Sequence, residues 1–324
     1  MTGDNGPPAP QWSLAQAEAV AASLDLAHEI GVPAGVSAVV FDVGEEDDPN
    51  RWAHVAARLA PLAVVTLARH PGWADASGEV DHLAAAVKRH PLAATITAQL
   101  LRRLPERADA AFQAESLAYA TLQAGPEHRA WLDARGRRVR GDEAARVRID
   151  DGDPVTITMT RPRLHNLLDA RGRDELAAAF RTVALMEPET RVRWIADGPS
   201  FCAGGDPAEF GVVADPATAH TIRSSASPAP ALAAIRGRVT AHVHGACVGA
   251  GIELAAQASV LIADPATRFR LPELTMGLTP GVGGCWSISR RIGRERLLTW
   301  LLTDAELDAE TALAWGLIDA IQTR

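Results

Sequence analysis

Apolar, strand-like segments followed by glycine-rich turns recur in the second half of the chain, and they constrain its fold more than any other feature. Residues 192–196 precede a turn at 200–206, and residues 239–244 precede a turn at 245–251 that leads into a helical pattern at 252–257. Short apolar segments bounded by turn residues are typical of buried strands. Repeated units of strand, turn and helix predict an α/β fold for this half.

The first half combines a short strand–helix–strand pattern with a run of helices. Segments 35–43 and 62–68 are strand-like, and a helical period separates them at 51–60. From 78 to 136 the pattern is helical, with breaks where proline and glycine restart the chain. The arginine-rich stretch at 134–148 has little apolar content and predicts a solvated linker between the halves.

Charge and cysteine usage exclude several classes of protein. The net charge is −8, and no cluster of lysine or arginine with interleaved aromatics predicts a nucleic-acid partner. No run of eighteen apolar residues predicts a membrane span, and the first residues do not resemble a secretory signal. Cys202, Cys247 and Cys285 are scattered without metal-binding spacing. We therefore expect a cytoplasmic protein with no metal site.

The two glycine-rich turns are candidate donors to an oxyanion. Glycine permits tight turns that expose backbone N–H groups, and the turn at 244–251 also begins a helix, whose first N–H groups lack partners. Such groups stabilise negative charge that develops on a carbonyl oxygen. Taken alone, the turn at 200–206 is more often only a turn, and the turn at 244–251 more often serves close packing of a helix on a strand.

Two glutamates in apolar surroundings complete the pattern. Glu253 lies in GIELAA and Glu273 in RLPELTMG. Burial raises the pKa of a carboxyl group towards the range that is useful for proton transfer. Either glutamate alone would more often be a surface or capping residue. Two donor turns together with two such acids indicate polarisation of a thioester and acid–base chemistry at an adjacent carbon.

Residues 201–321 resemble the crotonase (enoyl-CoA hydratase/isomerase) superfamily in several motifs that follow its order. These motifs are FCAGGD, HGACVGAGIELA, ADPATRFRLPELTMGLTPGVGG and LLTDAELDAETALAWGLIDAI, and upstream TRPRLHNLLDARGRDEL resembles its first CoA-contacting loop and helix. The resemblance implies a ββα spiral core at 143–324. It also implies a CoA thioester substrate, with coenzyme A as part of the substrate and no separate cofactor.

The resemblance also implies roles for individual residues. The backbone N–H groups of Gly205 and Ala250 would form the oxyanion hole. Glu253 and Glu273 would hold a water molecule between them. Glu253 would help deprotonate this water for attack at C3, and Glu273 would manage the proton at C2.

Six further positions match segments that bind the substrate in the family. They are Arg163, Leu164, Leu167, Ala203, Gly204 and Asp206. Two departures leave the acyl group open, because Leu167 replaces a small residue and Cys285-Trp286 replaces a polar pair.

Residues 1–142 look like a degenerate crotonase-like region. Its helical segment, 78–136, resembles the helices that close the acyl pocket at the other end of usual members, and we expect it to supply them here. A cofactor-independent dioxygenase acting on dihydroxyphenylacetyl-CoA carries a similar N-terminal region, but it lacks a glutamate at the position of Glu253. The family resemblance implies a homo-oligomer, a trimer or hexamer.

These patterns favour hydration of an enoyl-CoA, or the reverse dehydration. Other crotonase reactions stay open, namely double-bond isomerisation, C–C or thioester hydrolysis, and cofactor-independent dioxygenation. A third hypothesis is a non-catalytic subunit that binds acyl-CoA.

Overall fold

A computed structural model describes residues 8–135, 145–213 and 215–323. The strands are β1 (Gln11–Trp12), β2 (Ala38–Phe41), β3 (Val65–Ala68), β4 (Ala76–Ser77), β5 (Val147–Asp150), β6 (Val155–Met159), β7 (Val192–Ala196), β8 (Val239–Val243), β9 (Ala246–Val248), β10 (Val260–Ala263), β11 (Arg268–Arg270), β12 (Leu307–Asp308) and β13 (Ala320–Ile321). The helices are α1 (Leu14–Ala21), α2 (Leu26–Glu29), α3 (Pro49–Leu59), α4 (Val80–Arg89), α5 (Pro91–Arg102), α6 (Ala108–Gln123), α7 (Pro126–Arg135), α8 (Ala170–Ala184), α9 (Pro216–Ala226), α10 (Ala229–Ile235), α11 (Ala250–Ala255), α12 (Gly284–Ile292), α13 (Arg294–Thr303) and α14 (Ala309–Ala314).

The chain divides into two compact units. The first consists of the described residues up to Arg103 together with α13, and the second consists of Leu104–Gly293 with the described residues from Asp304 onward. The predicted boundary between residues 142 and 143 lies outside the described residues and stays a prediction. No helix in the described ranges is both long and apolar enough to span a membrane.

The first unit is built on a parallel sheet of four strands in the order β1-β2-β3-β4. The strands β2 and β3 are buried throughout, as expected for a parallel sheet covered by helices. Trp52 of α3 packs on Phe41 of β2 with ring centroids 4.5 Å apart. The strand–helix–strand pattern predicted for this region is therefore present, with each strand shorter than predicted.

The second unit contains a six-stranded sheet in the order β13-β10-β8-β7-β6-β5 and a three-stranded sheet in the order β12-β11-β9. The larger sheet is parallel except for β5, which runs antiparallel to β6. Trp194 of β7 is fully buried between Phe180 and Phe201, with ring centroids 5.3 and 5.0 Å away. This is a mixed α/β architecture, as the sequence predicts.

The predicted linker at 134–148 is wrong at its C-terminal end. Arg146 is buried, and its Nε and Nη2 donate to Oδ2 of Asp169 at 3.0 and 2.9 Å. The backbone N–H groups of Arg146 and Val147 donate to Glu175, at 2.7 and 3.1 Å, just where β5 begins. The arginine is therefore an internal counter-ion rather than a solvated charge. Residues 136–144 of the predicted linker lie outside the described residues.

The helical segment 78–136 is shared between the units. Helices α4 and α5 belong to the first unit, whereas α6 and α7 belong to the second. Only α6 and α7 therefore lie in the unit that carries the predicted site residues.

Candidate active site

A cavity of about 520 Å³ in the second unit brings together most of the predicted site residues. It is lined by Ala203, Gly204, Gly205, Asp206, Ala250, Glu253 and Glu273. Helices α6, α7 and α9 also contribute lining residues. A concave, largely apolar pocket with a few converging polar groups is typical of a site for a small molecule.

The two glycine-rich turns lie against each other beside this cavity. The N–H of Val248 donates to the carbonyl of Cys202 at 2.9 Å, and the two chain segments form a parallel bridge there. A Cβ on Gly251 would lie 2.5 Å from the carbonyl oxygen of Cys202. Only glycine permits this approach, so the small residues of both turns are needed to bring them together.

The backbone N–H groups of Gly205 and Ala250 are available to a ligand. Within the described ranges, neither N–H donates a hydrogen bond, and both residues line the cavity. Ala250 is the first residue of α11, where a backbone N–H has no partner within its helix. The two groups could therefore donate to one oxygen of a bound molecule, which is the role that the sequence predicts.

Glu253 is buried in the first turn of α11, and backbone donors surround one of its oxygens. Its Oε2 accepts from the N–H groups of Gly281, Val282 and Gly284 at 3.0, 2.9 and 3.1 Å. Burial raises the pKa of Glu253 to about 7, while these three donors act in the opposite direction. A carboxyl group with this pKa can accept or release a proton near neutrality.

Glu273 is buried too, but its environment differs. It begins a short 3-10 turn, Glu273–Met276, and its Oε2 has no hydrogen-bond partner among the described residues. Burial, together with the negative charge of Glu253, raises the pKa of Glu273 well above its ordinary value. This carboxyl group therefore keeps its proton to a higher pH than an ordinary glutamate does.

A third glutamate, Glu115 of α6, was not predicted from the sequence. It is 2% exposed, and it accepts hydrogen bonds from the N–H groups of Gly283 and Cys285 at 2.6 and 2.7 Å. Burial and the charge of Glu253 raise the pKa of Glu115 to about 8. Glu115 and Glu253 both accept hydrogen bonds from the backbone of one segment, residues 281–285, which we call the glycine loop. Glu115 therefore helps to fix the loop that holds Glu253.

The glycine loop is packed too closely for larger residues. A Cβ on Gly284 would lie 2.5 Å from Cγ of Glu253, and one on Gly281 would lie 2.7 Å from the ring of Tyr119. Tyr119 of α6 lines the cavity, and its hydroxyl forms no hydrogen bond in the part of the chain that the structure describes. The glycines thus bring Glu253 and an aromatic ring to one wall of the cavity.

Another wall of the cavity is aromatic. The rings of His128 and Trp131, both on α7, stack with centroids 5.6 Å apart, and Phe210 meets Trp131 edge-on at 5.8 Å. Nδ1 of His128 lies 2.8 Å from the carbonyl oxygen of Met276, which joins α7 to the turn that carries Glu273. Burial lowers the pKa of His128, so the imidazole is neutral at physiological pH.

The predicted substrate-binding residues fall into two groups. Ala203, Gly204 and Asp206 line the cavity, whereas Arg163, Leu164 and Leu167 are not among the residues that line it. The carboxylate of Asp206 is 2.9 Å from Nη1 of Arg161, and it also accepts from the N–H of Ala208. Its side chain is thus held by the protein. The substrate-binding roles of all six residues stay predictions.

The described residues contain no group of three histidine, cysteine or acidic side chains arranged to hold a metal ion.

Comparison with known proteins links this geometry to one family. The family model described as enoyl-CoA hydratase/isomerase matches residues 154–324. A curated relative from Mycobacterium leprae, named "probable enoyl-CoA hydratase echA8", is 31% identical over 168 residues, which are 51% of this chain and 63% of the relative. The Mycobacterium tuberculosis protein of the same name is 32% identical over 167 residues, with the same coverage. The chain thus matches less than two thirds of the length of these relatives.

Solved structures agree with the sequence comparison. An enoyl-CoA hydratase subunit I from Geobacillus kaustophilus superimposes with a TM-score of 0.51 at 27% identity, covering 56% of this chain and 70% of the other. An enoyl-CoA hydratase from Thermoplasma volcanium gives a TM-score of 0.50 at 27% identity, covering 56% and 73%. The core of the second unit therefore has the crotonase fold.

Proposed function

Because this chain belongs to the enoyl-CoA hydratase/isomerase family, we propose that it hydrates the C2–C3 double bond of an enoyl-CoA thioester, or catalyses the reverse dehydration. The observation that carries the proposal is the pairing of Glu253 and Glu273. Both are buried, they come from separate elements, and they line one cavity next to the free N–H groups of Gly205 and Ala250.

The proposed reaction begins with polarisation of the thioester. The N–H groups of Gly205 and Ala250 donate to its carbonyl oxygen, and they stabilise the negative charge that develops there as C3 is attacked. The rest of the coenzyme lies outside the acyl cavity, where Arg163, Leu164 and Leu167 remain candidates for its contacts. Coenzyme A is part of the substrate in this reaction, and no other cofactor takes part in it.

The two glutamates divide the proton transfers. Three N–H groups stabilise the ionised form of Glu253, so in this mechanism it serves as the base. It takes one proton from water as the oxygen bonds to C3. Glu273, whose pKa is raised by burial, starts protonated in this mechanism and delivers its proton to C2. Water is thereby added across the double bond, and proton exchange with solvent restores both groups.

The test is the loss of the ultraviolet absorbance of the conjugated thioester, measured with 2-enoyl-CoA substrates of several chain lengths. We expect Glu253→Gln and Glu273→Gln each to lower kcat by about 10²- to 10⁴-fold, the usual contribution of a general acid or base. Glu175→Gln is the matched control, because Glu175 also accepts two backbone hydrogen bonds but does not line the cavity. Full activity in both site variants would exclude this mechanism.

A second candidate reaction is movement of a double bond from C3–C4 to C2–C3. The free Oε2 of Glu273 favours it, because one unbound carboxyl oxygen can carry a proton from C2 to C4. A 3-enoyl-CoA would then gain conjugated absorbance, whereas hydration removes it. Oxygen uptake or release of free CoA would instead indicate dioxygenation or hydrolysis. Binding without turnover would indicate the non-catalytic subunit.

The predicted homo-oligomer, a trimer or hexamer, and the cytoplasmic location are kept as proposals. Sedimentation of the purified protein would test the first.

A further inference from the structure

An arginine without a counter-ion contributes to the acyl cavity from α9. Arg223 lines the same cavity as Glu253 and Glu273. It forms no ion pair with any carboxylate that the structure describes. Its Nη2 is buried and has no hydrogen-bond partner within the described ranges. Buried cations in proteins are normally paired. This nitrogen can therefore donate to an acceptor on a bound ligand, since the described residues provide none.

Neutral groups hold the guanidinium in place. Nη1 donates to Oε1 of Gln123 at 3.0 Å, and Nε donates to the hydroxyl of Ser116 at 3.3 Å. The guanidinium carbon lies 4.3 Å from the centre of the Tyr119 ring. All three contacts come from α6. They orient the guanidinium without neutralising it, which is the arrangement expected of a group prepared for an anionic ligand.

Nearby acids are engaged elsewhere. Both oxygens of Glu115 accept hydrogen bonds from the glycine loop, and Oε2 of Glu253 is held by the same loop. Neither carboxylate forms an ion pair with Arg223, although the charge of Glu115 is near enough to raise the pKa of the arginine. An arginine remains charged even when burial lowers its pKa, as it does for Arg223. Its best partner is a carboxylate, which can accept two parallel N–H bonds from one guanidinium.

The position of Tyr119 places this cation relative to the catalytic groups. One edge of the ring lies against Gly281, whose N–H donates to Glu253. The guanidinium of Arg223 stacks on the face of the same ring. Arg223 is thus one aromatic ring away from the loop that holds Glu253. A substrate with C3 at Glu253 would bring the far end of a short acyl chain to Arg223.

We propose that the acyl group of the substrate ends in a carboxylate, which Arg223 binds with the Tyr119 hydroxyl as a second donor. The substrates would be mono-CoA thioesters of unsaturated dicarboxylic acids. This inference rests on the proposed function, because it places the reacting carbons beside Glu253 and Glu273.

The first experiment compares matched substrates. Hydration is measured with the mono-CoA thioesters of 2-enedioic acids of five, six and seven carbons, and with 2-enoyl-CoAs of the same carbon numbers. We expect wild type to favour at least one dicarboxylic substrate by tenfold or more in kcat/KM. A site built to bind a polar group strongly rejects an analogue that lacks it, because its own polar groups are then left unpaired.

The variants assign this preference to one side chain. Arg223→Gln should abolish the preference by lowering kcat/KM for the dicarboxylic substrate about tenfold or more, mainly through KM. Arg223→Lys keeps the charge without the planar fork and should keep part of the preference. Arg173→Gln is the control, since Arg173 also lines the cavity but already pairs with Asp174 at 2.8 Å. It should leave the ratio between the two substrate series unchanged.

A binding measurement separates this inference from the proposed function. Calorimetry with adipoyl-CoA and hexanoyl-CoA, which have no double bond to hydrate, should give at least tenfold tighter binding of adipoyl-CoA to wild type and equal binding to Arg223→Gln. This result without any hydration would support Arg223 and overturn only the hydratase proposal. Equal binding of both thioesters by wild type, or an Arg223→Gln protein that keeps the preference, would overturn the role of Arg223 whatever the reaction.

Discussion

One largely buried carboxylate of the first unit and three buried glutamates of the second unit have opposite surroundings. In the first unit, Asp75 accepts from Nε of Arg102 at 2.8 Å and from the N–H and hydroxyl of Thr66, both at 2.8 Å. In the second unit, Glu115, Glu253 and Glu273 are buried, and none of them forms an ion pair among the described residues. A nearby cation lowers the pKa of a carboxyl group, whereas burial without a cation raises it.

This difference separates structural acids from candidate catalytic ones. Asp75 and Arg102 cancel each other's charge, and Arg102 also donates to backbone carbonyls such as that of Val64. Glu253 and Glu273 form no ion pair among the described residues; three backbone N–H groups of the glycine loop lower the pKa of Glu253, and no residue of that loop donates to Glu273. Burial without a cation, together with unequal stabilisation, yields one acid and one base in the same cavity. Substitutions of Asp75 and of the glutamates test this comparison separately, through stability and through activity.

The largest expected effect on stability comes from breaking the ion pair between Asp75 and Arg102. Asp75→Asn would leave the Arg102 guanidinium, which is 13% exposed, without its anion. We expect the free energy of unfolding to fall by about 3 kcal/mol, the lower end of the cost of breaking a buried ion pair. The kcat at a temperature where the variant is folded should be unchanged. Denaturant unfolding and the hydratase assay check both points, and a large loss of kcat with unchanged stability would reverse the assignment.

The next effect concerns Glu115, which we infer is a positioning residue. In Glu115→Gln an amide group replaces one of the two acceptors, so the N–H of Gly283 or Cys285 loses its partner. The glycine loop then holds Glu253 less accurately, and we expect kcat to fall about tenfold to a hundredfold. KM should hardly change, because Glu115 does not line the cavity.

Glu175→Gln again provides the comparison for Glu115. It removes an acceptor from two backbone N–H groups at the start of β5. It should lower stability without lowering kcat. An equal loss of kcat in both variants would mean that Glu115 acts only on stability.

The fold and the paired glutamates were predictable because the signals are local. Strand β7 has the bounds that its apolar segment predicts, and β8 ends one residue earlier than predicted. The apolar neighbours of Glu253 and Glu273 in the sequence correctly indicate burial. These predictions depend on residues a few positions apart, where periodicity and turn chemistry are informative.

The remaining features depend on contacts that are distant in sequence. Glu115 lies 168 residues before Gly283, and nothing in an alanine-rich helix marks it as a loop anchor. Arg146 was assigned to a solvated linker because its neighbours are arginines, although its partner Asp169 lies 23 residues further on. Arg223 belongs to α9, a helix that was not predicted from the sequence. Such side chains acquire their roles only when the fold brings their partners together.

A smaller effect should appear in the pH dependence of kcat/KM for hydration. Glu253 must be ionised to accept a proton, so the rate should fall as the pH decreases below about 7. Glu273 must be protonated, so the rate should also fall as the pH rises through the raised pKa of this group. The residual activity of Glu253→Gln should lose the acidic limb. Constant kcat/KM in wild type down to pH 5 would exclude Glu253 as the base.

The smallest effect is on the pH dependence of stability. In the folded protein the pKa values of Glu253 and Glu115 are raised from 4.5 to about 7 and 8, so the folded state keeps protons that the unfolded chain releases above pH 4.5. The contribution of these two groups to the free energy of unfolding is fully present below pH 4.5, and it is lost as the pH rises towards 8. The free energy of unfolding should therefore fall less steeply with pH in Glu115→Gln than in wild type. The difference in slope should be up to about 1.4 kcal/mol per pH unit, the limit for one proton. Denaturant unfolding of wild type and variant from pH 5 to 8.5 measures it. Parallel curves would mean that Glu115 titrates alike in the folded and the unfolded chain, and that the nearby charge of Arg223 offsets its burial.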